Sequence, residues 1–153
     1  MRAAMLEAFQ APLAVREVPQ PDPGPGQVRL RVAASGLCGT DVHLWHGTFR
    51  GGFTPPGIPG HEPVGVVDAI GPGVTTVQPG DRVGVPWAQR GCGTCGACRE
   101  ERVRYCRALR TWMDLGGGHA EDMLAEGPAC VALPDGLPWE HAAAMFWGGF
   151  TVM

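Results

Sequence analysis

The stretch GCGTCGACREERVRYC, which spans Gly91–Cys106, decides how this chain of 153 residues is interpreted. Its four cysteines follow the spacing C-x2-C-x2-C-x7-C. Four thiolates in one short stretch are the donor set that a closed tetrahedral zinc site requires. Arginines and glutamates surround the cysteines, so the stretch has no apolar core of its own and a metal would have to organise it. The predicted zinc ligands are Cys92, Cys95, Cys98 and Cys106.

A pair of disulfides is the alternative use of these four cysteines. Disulfides persist in oxidising compartments and are rare in the cytosol. The N-terminal segment MRAAMLEAFQAP lacks the apolar stretch of a secretory signal, and no segment approaches the length of a membrane span. We therefore expect a cytoplasmic protein that does not interact with a membrane and whose cysteines bind metal.

The bulk composition favours one soluble globular domain. The hydrophobic fraction is 44% and the net charge is −3, which is typical of a folded domain rather than a disordered chain. Basic residues cluster only around the cysteines, where they alternate with Glu100 and Glu101. This mixture indicates a solvated surface more than a nucleic-acid-binding patch, so no nucleic-acid partner is expected.

Short apolar runs separated by glycine and proline predict a mainly β (α+β) fold. The alternation is clearest in QVRLRVAA, where Val28, Leu30 and Val32 fall on one face. Many short strands with Gly/Pro turns are typical of a β-barrel or sandwich with little helix. The predicted strands are Arg2–Ala8, Ala14–Val18, Gln27–Ala34, Pro63–Ile70, Arg82–Pro86, Ala120–Ala125 and Cys130–Leu133.

Two helices are predicted. The first is short and begins near Cys38, with Thr40 or Asp41 as its cap. The second begins after Pro138 and runs as WEHAAAMFWGGFTVM to the last residue without a C-cap. Because the chain ends inside this apolar segment, we expect residues 138–153 to lead into a second domain that lies outside the chain.

A second group of candidate metal ligands lies in the segments CGTDVH and GHE. Cys38 and His61 could supply a thiolate and an imidazole to a zinc ion, with the carboxylate of Glu62 beside them. An open site with three protein ligands is the catalytic form of a zinc centre, because the vacant position admits substrate. Singly, such residues are usually ordinary core residues; together with the four-cysteine stretch they indicate a second metal site.

The chain resembles the N-terminal catalytic domain of the zinc-dependent medium-chain alcohol dehydrogenases, whose fold is a GroES-like barrel. The resemblance implies a partly open β-barrel with short helices over residues 1–137, with a zinc-binding lobe at residues 91–107. Residues 138–153 would then lead to an absent Rossmann NAD(P)-binding domain. The segments that match, in the family's order, are GLCGTDVHLWHG (Gly36–Gly47), GHEPVGVV (Gly60–Val67), PGDRVGVPW (Pro79–Trp87), the cysteine lobe, GGGHAE (Gly116–Glu121) and AAAMFWGGFTV (Ala142–Val152).

The resemblance also implies roles for individual residues. Cys38 and His61 match the catalytic zinc ligands, and Glu62 matches a neighbouring carboxylate that can approach the metal. Asp41 would orient the His61 ring, which metal-bound imidazoles usually require. The remaining matches are Thr40 and His43 for a proton relay, Phe49 and Trp87 for the pocket of a small alcohol, and the four lobe cysteines for a structural zinc.

The implied activity is oxidation of a small alcohol to an aldehyde or ketone, with hydride transfer to NAD(P). Zinc would lower the pKa of the alcohol, and the proton would leave through Thr40 and then His43. The expected partners are therefore a small alcohol or carbonyl substrate and, in the full-length protein, further copies in a homo-oligomer.

Two features depart from the family pattern. Trp147 occupies the place of the third catalytic ligand, usually a cysteine and in some branches an acid, and an indole N–H cannot coordinate zinc. A set that includes Glu62 would still bind the metal. The only G-x-G-x-x-G, Gly91–Gly96, lies inside the lobe without strand–helix context, so it is not a nucleotide-binding motif. We expect the chain alone neither to bind NAD(P) well nor to oxidise alcohol.

Two other readings remain open at this point. A non-catalytic zinc-binding domain, acting as a scaffold or interaction module, is favoured by Trp147 and by the abrupt end, whereas Thr40, Asp41, His43 and Glu62 favour the dehydrogenase. A GroES-like co-chaperonin is weaker, because a simple barrel would not need this many ligand-type residues.

Overall fold

A computed structural model describes residues 1–49 and 52–149. Short strands dominate these residues, and none of the described helices has the length and apolar surface that crossing a bilayer would require. The strands are β1 Arg2–Met5, β2 Ala14–Glu17, β3 Gln27–Ser35, β4 Pro63–Ile70, β5 Arg82–Gly84, β6 Ala88–Arg90, β7 Arg110–Thr111, β8 Asp122–Glu126 and β9 Val131–Ala132. The α-helices are α1 Gly39–His46, α2 Gly96–Arg99 and α3 Trp139–Ala144.

The central sheet has five antiparallel strands in the order β8-β3-β4-β5-β9. Two further ladders, β1-β2 and β6-β7, are attached to it, and an isolated bridge from Ala3 to Ala120 ties β1 to the chain before β8. The sheet does not close on itself, since β8 and β9 remain its edges. The predicted mainly β fold with an open sheet and short helices is confirmed.

The core follows from the alternation in β3. Val28 and Leu30 are fully buried, and Val32 packs against the same cluster from its rim. Strands β4, β5 and β8 and the residue that follows β5 contribute the other members, namely Val67, Val83, Val85, Met123 and Ala125. A second cluster, formed by Val64, Ala142, Ala143 and Phe146, packs α3 onto the sheet.

All seven predicted strands are present, with ends shifted by a few residues. The sequence did not predict β6 and β7, because ladders of three and two residues are too short to show a period. These two strands are the stems on which the cysteine lobe stands.

The predicted cap of α1 is corrected by the structure. Cys38 itself is the N-cap, because its Sγ accepts a hydrogen bond from the Thr40 N–H at 3.3 Å. Asp41 closes the capping box by accepting from the Cys38 N–H at 2.9 Å. Helix α3 begins after Pro138 as predicted and passes into a π-helical turn over Met145–Gly149. Its predicted extension through residues 150–153 lies outside the described residues.

Candidate metal centres

The cysteine lobe brings the four predicted ligands together. Their sulfur atoms all lie within 4.8 Å of one another. The Cys98 Sγ lies 3.5 Å from that of Cys95 and 4.0 Å from that of Cys92. Tetrahedral zinc with Zn–S bonds of about 2.3 Å separates its sulfurs by about 3.8 Å, whereas a disulfide joins them at about 2 Å. All of these cysteines are free thiols, so the arrangement fits a metal.

The electrostatics of the lobe require a positive charge. Hydrogen bonds from Thr94, led by its hydroxyl, lower the pKa of Cys92 to about 5. At Cys98 the backbone N–H of Gly93 lowers the pKa, but desolvation and the neighbouring thiols outweigh it and raise the pKa to about 11. Four thiols this close cannot all ionise without a cation between them, and a divalent metal supplies that charge.

The second centre lies at the N-terminus of α1, facing the turn that precedes β4. Cys38 Sγ is 3.3 Å from His61 Nε2, and the same nitrogen is 3.9 Å from Glu62 Oε1. The three residues can direct ligand atoms to a common point, with His61 and Glu62 both buried. Desolvation raises the pKa of Glu62 against the effect of the His61 ring. A thiolate, an imidazole and a carboxylate are the ligand types that zinc accepts.

Gly36 leaves the space that Glu62 occupies. The Gly36 N–H donates to the backbone oxygen of Glu62 at 3.1 Å. A Cβ built on Gly36 would lie 1.9 Å from Glu62 Oε2, so any side chain at this position would displace the carboxylate. The glycine before Leu37 in the GLCGTD motif is therefore explained by the Glu62 carboxylate opposite it.

Asp41 connects the helix to two histidine rings. Its Oδ2 accepts from the Cys38 N–H, while its Oδ1 lies 3.5 Å from His61 Nδ1 and 3.6 Å from His119 Nε2. Both distances to Oδ1 are long for hydrogen bonds, so these contacts are mainly electrostatic. Desolvation would raise the pKa of Asp41, but the two imidazoles and the Cys38 N–H outweigh it and hold the pKa well below its ordinary value.

Sequence reasoning missed His119, although it lies in the quoted segment GGGHAE. Its backbone is held on two sides, because its N–H donates to Pro59 O at 2.9 Å and its carbonyl accepts from the Ala4 N–H at 2.8 Å. The side chain thereby faces the same Asp41 oxygen as His61. Only the fold could reveal this, since nearly 80 residues separate His119 from Asp41 along the chain.

Aromatic rings form a wall around His61, which we call the aromatic wall (Trp87, Trp112 and Trp147). The Trp147 ring meets His61 edge-on, with centroids 5.2 Å apart, and Trp87 lies 6.0 Å from Trp147. Trp112 is tilted by 31° to the His61 ring at 6.0 Å. Trp147 thus stands beside His61, the predicted zinc ligand, whereas the contact of Trp112 with His61 was not predicted.

The residues of the predicted relay lie on α1 and just after it. Thr40 is half-buried, and His43 is exposed with its Nδ1 3.3 Å from Thr48 Oγ1. Phe49 is partly buried and donates its N–H to the His43 carbonyl at 3.2 Å. We call the space beside His61, Cys38 and Glu62 the cleft. Of the two predicted pocket residues, Trp87 is linked to the cleft through its contact with Trp147, which in turn contacts His61. The roles of all these residues remain predictions.

Known proteins share this arrangement of sequence and fold. The model of the alcohol dehydrogenase GroES-like domain family matches residues 24–135. The chain is 42% identical over 152 residues to an alcohol dehydrogenase of Geobacillus stearothermophilus and 41% identical over 153 residues to one of Rhizobium meliloti (strain 1021). Each match covers 99% of this chain but 45% of the relative, so the chain spans less than half the length of these relatives.

Solved structures agree with the sequence match. The alcohol dehydrogenase from Aeropyrum pernix superposes with a TM-score of 0.82 at 31% identity, covering 95% of this chain and 43% of that one. A structure described as a zinc-binding dehydrogenase from Sinorhizobium meliloti 1021, bound to NADP, superposes with a TM-score of 0.78 at 37% identity over 94% of this chain and 41% of that one. The chain therefore belongs to the GroES-like domains of the zinc-dependent alcohol dehydrogenase family.

Proposed function

We propose that this chain is the catalytic domain of a zinc-dependent alcohol dehydrogenase, which oxidises a small alcohol to an aldehyde or ketone. The hydride passes to NAD(P) held by a domain outside this chain. The observation that carries the proposal is the convergence of Cys38, His61 and Glu62 within 4.8 Å at the N-terminus of α1. The length of the relatives and the NADP in one of the superposed structures support the missing cofactor domain.

The described donors fit two zinc ions. The lobe cysteines would hold a structural zinc, and Cys38, His61 and Glu62 would hold a catalytic one. When bound, the catalytic zinc polarises the alcohol oxygen and favours loss of the hydroxyl proton.

The chain's own side chains prepare that step. Asp41 faces the Nδ1 of His61 and so directs the Nε2 toward Cys38 and Glu62. Thr40 and His43 lie three residues apart on α1, hence on neighbouring positions of one helix face. Thr40 is half-buried and His43 is exposed, so the pair offers the proton a path from the cleft to solvent.

The aromatic wall limits the size of the substrate. Trp87 and Trp147 narrow the space beside His61, and Phe49 is the second predicted pocket residue. Bulky rings beside His61 would leave room for small alcohols or carbonyl compounds and would limit the access of water to a zinc held there. A cytoplasmic location and a homo-oligomeric full-length enzyme are further predictions of this proposal.

The second candidate is a non-catalytic zinc-binding domain that acts as a scaffold or interaction module. The observation that favours it is the Trp147 ring, which stands against His61 where the family places a third ligand. In this reading the lobe keeps its zinc and the cleft binds none.

Metal counting by native mass spectrometry separates the two candidates. From a chelator-free preparation we expect one firmly held zinc and a second, weaker one. Cys38→Ser should abolish the weaker zinc without changing thermal unfolding, since Cys38 is only half-buried. Trp147→Cys should tighten it by supplying a second thiolate beside that of Cys38. A chain whose zinc content is the same before and after Cys38→Ser would sink the catalytic proposal and leave the scaffold.

Turnover is then measured on the full-length protein. We expect NAD(P)-dependent oxidation of small primary or secondary alcohols that Cys38→Ser abolishes. A full-length protein that binds zinc in the cleft but oxidises no small alcohol would contradict the proposed substrate class.

A further inference from the structure

The two strands that carry the cysteine lobe are flanked by tryptophans on the side away from the lobe. Trp87 directly precedes β6 and Trp112 directly follows β7. The ladder pairs Ala88 with Thr111 and Arg90 with Arg110, and the Trp112 N–H extends it by donating to Trp87 O at 3.1 Å. The two tryptophans are therefore cross-strand neighbours at the base of the lobe.

Both tryptophans reach the cleft. Trp112 packs beside His61 with 6.0 Å between ring centroids. Trp87 lies 6.0 Å from Trp147, whose ring in turn meets His61 at 5.2 Å. The base of the lobe thus supplies two of the three rings of the aromatic wall, and the third ring, Trp147, contacts Trp87.

The position of Trp112 follows that of the stem. The carboxylate of Asp114 accepts from the Thr111 N–H at 2.6 Å, and the Trp112 carbonyl accepts from the N–H groups of Leu115 and Gly116 at 3.0 and 2.9 Å. These bonds leave Trp112 little freedom to move independently of β7. A movement of the stem is consequently a movement of the ring.

The stems depend on the lobe for their geometry. A two-stranded ladder of three and two residues is not stable in isolation. The four sulfurs bring together the two ends of the chain segment between the stems, since Cys92 lies two residues after Arg90 and Cys106 four residues before Arg110. A metal at the sulfurs would therefore fix the distance and twist between the two stems.

We propose that Trp87 and Trp112 are positioning residues through which the metal of the cysteine lobe fixes the aromatic wall beside His61. Loss of the lobe metal loosens these rings while the five-stranded sheet stays folded. The inference rests on the proposed function in one respect, namely that the lobe binds zinc.

Fluorine NMR of the 153-residue chain labelled with 5-fluorotryptophan tests this coupling. The chain has five tryptophans, whose signals are assigned by single Trp→Phe variants. Trp45 lies on α1 and donates its Nε1–H to Ala11 O, and Trp139 lies on α3 with its ring under the Arg82 guanidinium. Both tryptophans serve as internal controls. The experiment is performed in Cys38→Ser so that a chelator removes metal from the lobe alone.

Removal of the lobe metal should shift or broaden the signals of Trp87, Trp112 and Trp147 and leave those of Trp45 and Trp139 in place. Cys106→Ser should reproduce this pattern without chelator, whereas Cys130→Ser, a cysteine outside the lobe, should leave all five signals unchanged. Trp87→Phe should preserve the response of Trp147 to metal, and Trp87→Leu should weaken it, because the Trp147 ring packs against the ring of Trp87.

Static signals of Trp112 and Trp147 on metal loss would overturn the inference. A simultaneous shift of all five signals would overturn it too, since that indicates unfolding of the whole domain. Failure of the proposed function is recognised separately: a chain with one lobe zinc, no cleft zinc and the expected fluorine response keeps the coupling and loses the catalysis.

Discussion

The carboxylate of Asp41 serves three neighbours at once. One oxygen caps α1 through the Cys38 N–H, and the other lies between the rings of His61 and His119. A ligand residue, its helix and a distant turn are thereby joined through one buried side chain. Removal of a side chain that hydrogen-bonds to a metal-ligating histidine typically lowers the metal affinity by about 10- to 100-fold.

His119→Phe should weaken zinc binding in the cleft by on the order of 10-fold. The phenylalanine keeps a ring in place but removes the nitrogen that faces Asp41, so the carboxylate loses one of its two imidazole partners. Titration with cobalt, read from the absorption of the cleft site, measures the change, and the lobe site provides the reference in the same chain.

His141→Phe is the matched control, because His141 is exposed on α3. It removes a histidine without touching the cleft and should leave both cobalt affinities unchanged. Equal cleft affinities for wild type and His119→Phe would show that Asp41 does not need its second imidazole.

Gly36→Ala should displace Glu62 and lower the metal affinity of the cleft, although no proposed ligand is substituted. The added methyl would lie 1.9 Å from Glu62 Oε2, so the carboxylate must rotate away from His61. Gly39→Ala, where a Cβ meets nothing within 4 Å, is the control and should be close to neutral. Isothermal titration with zinc distinguishes them; two indistinguishable variants would mean that Glu62 is not a ligand.

At the level of elements, Glu126 anchors the stems of the lobe to the central sheet. It ends β8 and is 1% exposed. Its carboxylate lies 2.8 Å from Arg110 Nη1 and 3.6 Å from Arg90 Nε, while its N–H donates to Gln89 Oε1 at 3.1 Å. One buried carboxylate therefore binds both β6 and β7 on the side of the central sheet, and the sulfur cluster joins the same two strands at the lobe.

Glu126→Gln should destabilise the domain by about 2 kcal/mol, because the neutral amide leaves two arginines without a buried counter-charge. Both arginines keep access to water, which limits the loss. Urea unfolding followed by circular dichroism measures it. Glu121→Gln, which removes the exposed partner of Arg2, should change stability very little; a comparable loss in both variants would remove the special role of Glu126.

Across the whole molecule, the two hydrophobic clusters meet at Gly84 in β5. Its neighbours Val83 and Val85 belong to the central cluster, whereas the Phe146 ring of the second cluster rests directly over Gly84. The absence of a side chain at this position allows the C-terminal helical segment to approach the sheet. The packing of the turn after α3 onto the sheet thus uses the gap at Gly84.

Gly84→Ala should destabilise the domain by about 1–3 kcal/mol, since a Cβ at this position would lie 2.1 Å from the Phe146 ring and would push the segment off the sheet. Gly148→Ala is the control in the same segment, because its Cβ would meet nothing within 4 Å. The midpoint of denaturant unfolding should fall for the first variant alone. An unchanged midpoint for Gly84→Ala would show that Phe146 is not docked as described.

Patterns within a short window allowed the strands and the lobe ligands to be predicted. Val28, Leu30 and Val32 alternate because one face of β3 is buried, and Cys92, Cys95 and Cys98 are close in space because they are close in sequence. The candidate cleft ligands Cys38 and His61 were proposed from their residue types together with the lobe, and the resemblance to a family then implied their roles. The stems β6 and β7 escaped prediction because their pairing is decided by the lobe and by Glu126.

The amino-acid sequence by itself determined that this chain is mainly β and that it carries a four-cysteine lobe, because these properties depend on neighbours along the chain. Only the tertiary structure decided that His119 shares Asp41 with His61 and that the lobe stems end in rings beside the cleft. These contacts join segments up to some 80 residues apart. Local spacing carries no information about them, since they exist only after the sheet has packed.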